Sequence, residues 1–263
     1  MTATVREAAV SRPDTKAPFF DGGDGRYEPR PHARSPWSEN LVHGRLVSGL
    51  MAREVEREHL ADGFHPARMT TDLFRPIPMG PIDITTYVRR AGRRVRIVEV
   101  QASVDGMPVA SASVQALLAG AESTPVAWSP VEYRAPAPES VSPPVRQAPR
   151  HFGEVRRLEP SEDGRKFSWF RETCRLLEGI GDTPFEIAAM AADWVSPFTN
   201  MGAKSLNFIN ADVTLYLSRL PIGEWIGFEN LDHAVDNGVA VSVCALHDEQ
   251  GRIGTAASAA LPY

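Results

Sequence analysis

Asp193 ends an otherwise apolar run through Ile187, Ala188, Met190 and Ala191. Near the C-terminal end of a helix the backbone dipole disfavours a carboxylate by about 0.3–1 kcal/mol. Two readings stand for such an acid: a side chain turned to solvent, or a group with a task such as taking a proton. His43 beside Gly44 is the second feature. Its imidazole can touch a ligand, and the neighbouring backbone N–H can donate to a developing oxyanion. A helix-capping or buried, hydrogen-bonded histidine is the competing reading. The run Arg89-Arg90-Ala91-Gly92-Arg93-Arg94-Val95-Arg96 offers guanidinium groups to phosphate, although Gly92 at its centre marks the solvated tip of a hairpin. There is no GxSxG elbow, no glycine-rich phosphate loop and no Cys–His signal, so Ser–His–Asp hydrolysis is not expected. His65, His233 and His247 lack metal-ligand spacing, and no metal or cofactor is expected.

The elements that must position these groups follow from periodicity. Leu46, Val47, Leu50, Met51 and Val55 have helical spacing within 41–58. Gly44, Ser48 and Ala52 form a small-residue row along it, which suits a sheet packed close against the helix. Thr183-Pro184-Phe185-Glu186 reads as a capping box with proline at the first helical position, opening a helix over 184–194. Val98, Val100, Ala102 and Val104 alternate with Ile97, Glu99, Gln101 and Ser103, as in a half-buried strand. Val239, Val241, Val243 and Ala245 are read the same way in the second half. Asp105-Gly106 and Gln250-Gly251 read as hairpin turns.

These features occur twice. Arg75-Pro76-Ile77-Pro78-Met79-Gly80 precedes two strand-like runs and Gly106; Arg219-Leu220-Pro221-Ile222-Gly223 precedes two more and Gly251. Matching spacings between matching motifs indicate a duplicated unit. Seven of the 22 prolines fall between Ser123 and Arg150, which makes that stretch an extended linker. The division expected is an N-terminal arm over 1–36, with a strand near Phe19–Phe20, one unit over 37–122, the linker over 123–150 and a second unit over 151–263.

The chain has 263 residues, 43% hydrophobic and 23% charged, with a formal net charge of −5. Such a balance lacks the electrostatic footprint of a nucleic-acid binder. No stretch approaches the ~20 apolar residues of a membrane span, and no signal-peptide core is recognised at the start. Neither nucleic acid nor membrane is therefore expected as a partner, and the cytoplasm is the expected location. Cys174 and Cys244 are expected as buried thiols rather than a bridge.

Helix followed by antiparallel meander, twice, is the order of the hotdog fold. Ser35-Pro36-Trp37, His43-Gly44 and Leu50-Met51-Ala52-Arg53 resemble the thioesterase-like superfamily, as do Asp72-Leu73-Phe74-Arg75-Pro76, Ile209-Asn210-Ala211-Asp212-Val213-Thr214 and Asp248 through Gly254. The family is similar to acyl-CoA thioesterase II. The resemblance implies an α+β double hotdog in which two helices are each wrapped by a curved antiparallel sheet, the two sheets joining edge to edge. It further implies an acyl-CoA or acyl-carrier thioester as substrate; association into a homo-oligomer is expected because a sheet edge or face is left open. It places catalysis in the second unit, where a helix Asp, a strand Thr or Asn and a last-strand Gln position a water. Carried over, these fall on Asp193, on Asn210, and on Ser258 or Ala259, neither of which is glutamine. His43, Gly44, Asp72, Gln115 and Thr214 are the substrate-binding candidates. Oxyanion donors are expected from backbone N–H groups, with no Arg or Lys near the pocket. The missing glutamine keeps a non-catalytic acyl-thioester-binding or scaffold protein as the alternative; a thioester hydratase or dehydratase is a third reading.

Overall fold

The computed structural model describes residues 17–60, 63–120, 133–142, 153–162, 164–201 and 206–262. The first half runs β1 (Pro18–Gly23), β2 (Arg26–Pro29), β3 (Arg34–Ser35), β4 (Ser38–Val42), α1 (Gly44–His59), β5 (Phe64–Asp72), β6 (Ile82–Ala91), β7 (Val95–Val104) and β8 (Met107–Leu118). The second runs β9 (Glu154–Arg157), β10 (Phe167–Arg171), β11 (Arg175–Leu177), α2 (Pro184–Ala192), α3 (Val195–Asn200), β12 (Phe208–Asn210), β13 (Asp212–Leu217), β14 (Ile226–Asp236), β15 (Val239–Asp248) and β16 (Gly251–Pro262).

Among the described residues, 14 strands form one sheet in the order β11-β1-β2-β6-β7-β8-β5-β13-β16-β15-β14-β10-β9, with β12 also on β16. The two halves join where β5 runs antiparallel to β13, Thr70 opposite Thr214. This is the edge-to-edge junction expected, and it removes an open strand edge from each half. At the far end β1 pairs with β11 in parallel, Phe20 opposite Leu177. Within the arm expected over 1–36, the strand expected near Phe19–Phe20 is β1, with Phe19 and Phe20 fully buried, and β2 joins it in the sheet. The described part of the proline-rich segment, 133–142, lies against the second half. Tyr133, Ala135 and Val141 pack on Phe167, Trp169 and Trp225, and the Trp169 indole donates to the Pro136 carbonyl at 3.0 Å.

The helices lie together. A Cβ at Gly49 would stand 2.6 Å from Met190 Cγ, so the glycine lets α1 and α2 approach. At Gly44, the first member of the small-residue row, the close neighbour is the Leu73 side chain, 2.9 Å from where a Cβ would stand. The capping box forms as expected: Thr183 accepts from the Glu186 N–H, and Glu186 accepts from the Thr183 N–H. The expected 184–194 helix stops at Ala192, and α3 follows after Asp193 and Trp194. Pro197 explains the break. It has no N–H for the Asp193 carbonyl four residues back, and its ring crowds that carbonyl.

Val98, Val100, Ala102 and Val104 are buried, as the alternation requires. In β15 the alternation holds only at its start: Val239 and Val241 are exposed while Ala240 and Ser242 are buried, so valine does not mark the inner face there. From Cys244 to Asp248 every residue is buried, Ala245 among them, and period two no longer reports a face. The repeated Arg-to-Gly spacing has a physical basis. Arg75 Nη1 donates to the Pro108 carbonyl at 2.7 Å, and Arg219 Nη2 donates to the Gly251 carbonyl at 3.3 Å. Each arginine ties the strand-to-strand connection before the meander to the last hairpin of its own half.

Candidate active site

The break after α2 turns Asp193 toward the start of α1. Asp193 is buried, which excludes the solvent-facing reading. Asn210, at the end of β12, donates from Nδ2 to Asp193 Oδ1 at 2.8 Å. His43 Nδ1 stands 3.9 Å from Asp193 Oδ2. His43 occupies the N-cap of α1 and Gly44 its first turn, where the leading N–H groups have no partner within the helix. The positive end of a 16-residue helix thus lies beside the acid. Behind it, Arg45 Nε donates to Glu172 Oε1 at 2.7 Å, and Nη2 to Oε2 at 3.1 Å, in a buried pair. Burial pushes the Asp193 carboxyl above the ordinary carboxylate range, and the nearby Glu172 charge adds to this. The Asn210 hydrogen bond and the Arg45 charge oppose it without prevailing.

Asp193, Asn210, His43, Gly44 and Arg45 line one cavity of about 1030 Å³. Its walls are mostly apolar. Trp194 stacks on Phe170 with centroids 5.5 Å apart, and Val155, Leu206 and Ile209 add aliphatic surface. Trp37, in the β3–β4 hairpin, and Phe74, after β5, also line it and are half-exposed. The cavity is built from both halves, not from the second alone: α1 supplies His43 and Gly44, the α2–α3 break supplies Asp193. Arginines do lie near it, against expectation, since Arg45, Arg75 and Arg157 are in its lining.

The remaining candidates lie elsewhere, for one geometric reason. Successive strand residues alternate faces, and a motif match does not report the face. Ser258 is buried opposite Ser242 of β15. Ser242 accepts from Thr199 of α3 at 2.7 Å, so Ser258 lies under α3 and outside the cavity lining. Asp72, exposed at the end of β5, faces Asp212 across the junction. Gln115 sits between Arg68 and Ile97 on the outer side of β8. Thr214 Oγ1 donates to Thr70 Oγ1 at 3.2 Å on the outer side of the junction. None of these four lines the cavity. The Arg45–Glu172 pair gave no sequence signal, since 127 residues separate its members. Among the described residues no cluster of His, Cys, Asp or Glu suits a metal ion.

An α+β chain with a large antiparallel sheet wrapped on few helices, and an acid–amide pair in an apolar cavity at the helix ends, defines a protein of the hotdog class. Residues 33–117 match the acyl-CoA thioesterase N-terminal domain and residues 121–260 the acyl-CoA thioesterase C-terminal domain; the chain belongs to the acyl-CoA thioesterase family. Solved structures agree on the fold. A conserved protein of unknown function with a hot dog fold from Alicyclobacillus acidocaldarius is similar at TM-score 0.71 and 14% identity, covering 93% of this chain and 95% of that one. A tesB protein from Mycobacterium avium subsp. paratuberculosis has TM-score 0.68 and 18% identity over 92% and 94%. Acyl-CoA thioesterase II TesB2 from Mycobacterium marinum has TM-score 0.63 and 16% identity over 88% and 96%. No curated protein sequence matches the chain.

Proposed function

We propose that the chain is a thioester hydrolase acting on an acyl-CoA or acyl-carrier substrate, with Asp193 as the general base. The observation that carries this reading is the Asn210–Asp193 contact inside the large apolar cavity. Asn210 fixes the carboxylate rather than the water, leaving Oδ2 for chemistry. A water within hydrogen-bond reach of both Asp193 Oδ2 and His43 Nδ1 fits a separation of 3.9 Å. Its oxygen attacks the thioester carbonyl carbon while its proton passes to Asp193. The developing oxyanion meets the N-terminal end of α1. Collapse breaks the C–S bond, and the leaving thiolate takes the proton back from Asp193. Apolar walls hold the acyl group, and Arg75 and Arg157 suit the phosphates of the carrier.

On this reading residues 37–122 and 151–263 are the two units of a double hotdog, the segment 123–150 joins them, and the protein works as a homo-oligomer in the cytoplasm. One observation favours a second reading, a protein that binds acyl thioesters without cleaving them: no glutamine lines the cavity among the described residues. Incubation with a panel of acyl-CoAs, following free thiol and product mass, decides between them. Hydrolysis abolished in Asp193→Asn supports the first; tight binding with no thiol release from the unaltered protein supports the second.

A further inference from the structure

The basic run that sequence motifs offered to a phosphate lies far from the cavity. The cavity opens at the first residues of α1, whereas Arg96 Nη1 donates to the carbonyl of His59, its last residue, at 2.6 Å. Sixteen residues of helix separate the two ends, about 24 Å at the usual rise. Arginines of the β6–β7 turn therefore do not serve a ligand in that cavity.

Arg89, Arg90, Arg93 and Arg94 are all exposed, and none forms an ion pair among the described residues. No acid occurs between Ile84 and Val98. Glu58 bonds Arg57 and Thr86, and Glu99, opposite Tyr87 on β7, accepts from Ser113. A net charge of −5 for the whole chain hides this local concentration. The same strand ends carry large apolar side chains in water. Tyr87 is 63% exposed and Val88 40% on β6; Leu117 is 39% and Leu118 47% exposed on β8. Two of them adjoin the arginines: Arg89 lies over the Tyr87 ring at 5.5 Å, and the Leu118 backbone N–H donates to the Arg94 carbonyl at 3.0 Å.

A cluster of exposed guanidinium groups attracts an anionic surface, and a purely polar polyanion leaves the tyrosine and leucines unused. A bilayer surface satisfies both, with phosphate at the headgroups and apolar volume just beneath. We propose that the end of the β6–β7–β8 ribbon docks the protein on an anionic phospholipid surface, with the four arginines on lipid phosphates and Tyr87, Val88, Leu117 and Leu118 in the interface. No helix among the described residues is long and apolar enough to cross a membrane, which says nothing against contact with its surface. The proposal is independent of the catalytic reading.

Flotation with vesicles tests it, using phosphatidylcholine alone and phosphatidylcholine mixed with phosphatidylglycerol. The protein should float with the mixed vesicles at low salt, and high salt should release it. Arginine near an anionic surface contributes about fivefold each, so Arg89→Gln, Arg90→Gln, Arg93→Gln and Arg94→Gln together should weaken partitioning more than about a hundredfold. Tyr87→Ser with Leu118→Ser should also weaken it with every arginine present. Unchanged thermal unfolding of both variants establishes that the fold is intact. Equal flotation of the four-arginine variant overturns the proposal, as does failure of the unaltered protein to float with anionic vesicles. Unchanged flotation of the Tyr87/Leu118 variant, with anionic vesicles displaced equally by duplex DNA, assigns the patch to polyanions in general and overturns the bilayer.

Discussion

At the scale of single residues, the proposed chemistry rests on a carboxylate held away from water that would serve as the base. Asp193 is raised by burial, so its charged form is lost as pH falls through a value above the ~3.9 of a free aspartate. The acid limb of the kcat/KM profile should accordingly lie above the usual carboxylate range; a limb at or below it removes Asp193 as the titrating base. Asp193→Asn keeps size and the contact with Asn210 but cannot take a proton, and should lower kcat at least about a hundredfold. Asn210→Ala should cost less, one hydrogen bond of about 0.5–1.5 kcal/mol, and steady-state kinetics on one acyl-CoA ranks the two. Asp193 and His43, singled out because an acid at the end of an apolar helix is out of place and because a glycine follows the histidine, both line the cavity. Ser258, Asp72, Gln115 and Thr214 lie outside it, because matching a motif says nothing of which strand face a residue takes.

Elements place those residues through a few local devices. Glu186, which closes the capping box, is almost fully buried, and desolvation pushes its carboxyl up to about 7 against the pull of the Thr183 N–H and Arg53. Its protonated form is favoured in the fold. The stability it contributes is complete below about pH 4.5 and is lost as pH rises through about 7, roughly 3 kcal/mol in all. Glu186→Gln keeps the cap and should flatten the melting temperature against pH across that window; an unchanged slope would place the titration elsewhere. In β16, a Cβ on Gly254 would stand 1.9 Å from the Tyr216 carbonyl oxygen of β13. Gly254→Ala should destabilise by about 3 kcal/mol, read by denaturant midpoint. Helix positions were close to readable from apolar spacing and the capping box. The break at Asp193 had its signal in Pro197, four residues on, and β11 had none, since three residues carry no period.

Over the whole molecule the two halves are not separable lobes. The β5–β13 ladder carries the sheet across the junction, and one cluster of buried side chains includes Leu50 and Met51 of α1 with Phe185 and Met190 of α2. Calorimetry should show a single transition whose van't Hoff and calorimetric enthalpies agree. Two resolved transitions would mean the halves stand alone. The repeated spacing was legible because each half carries an arginine that reaches its own last hairpin. The pairing of β1 with β11 was not, because it joins segments from opposite halves.

That pairing also sets an order of events during synthesis. Phe19 and Phe20 leave the ribosome well ahead of the strand that pairs with β1 in parallel, which lies about 150 residues further on. At the usual ~5–20 residues per second the wait is about 8–30 s, far longer than a hairpin needs to form. Through that interval β1 can pair with β2 but not with its parallel partner. Only once residue 177 has emerged can that edge of β1 be sealed, so a segment made before α1 waits for one made after the whole first meander.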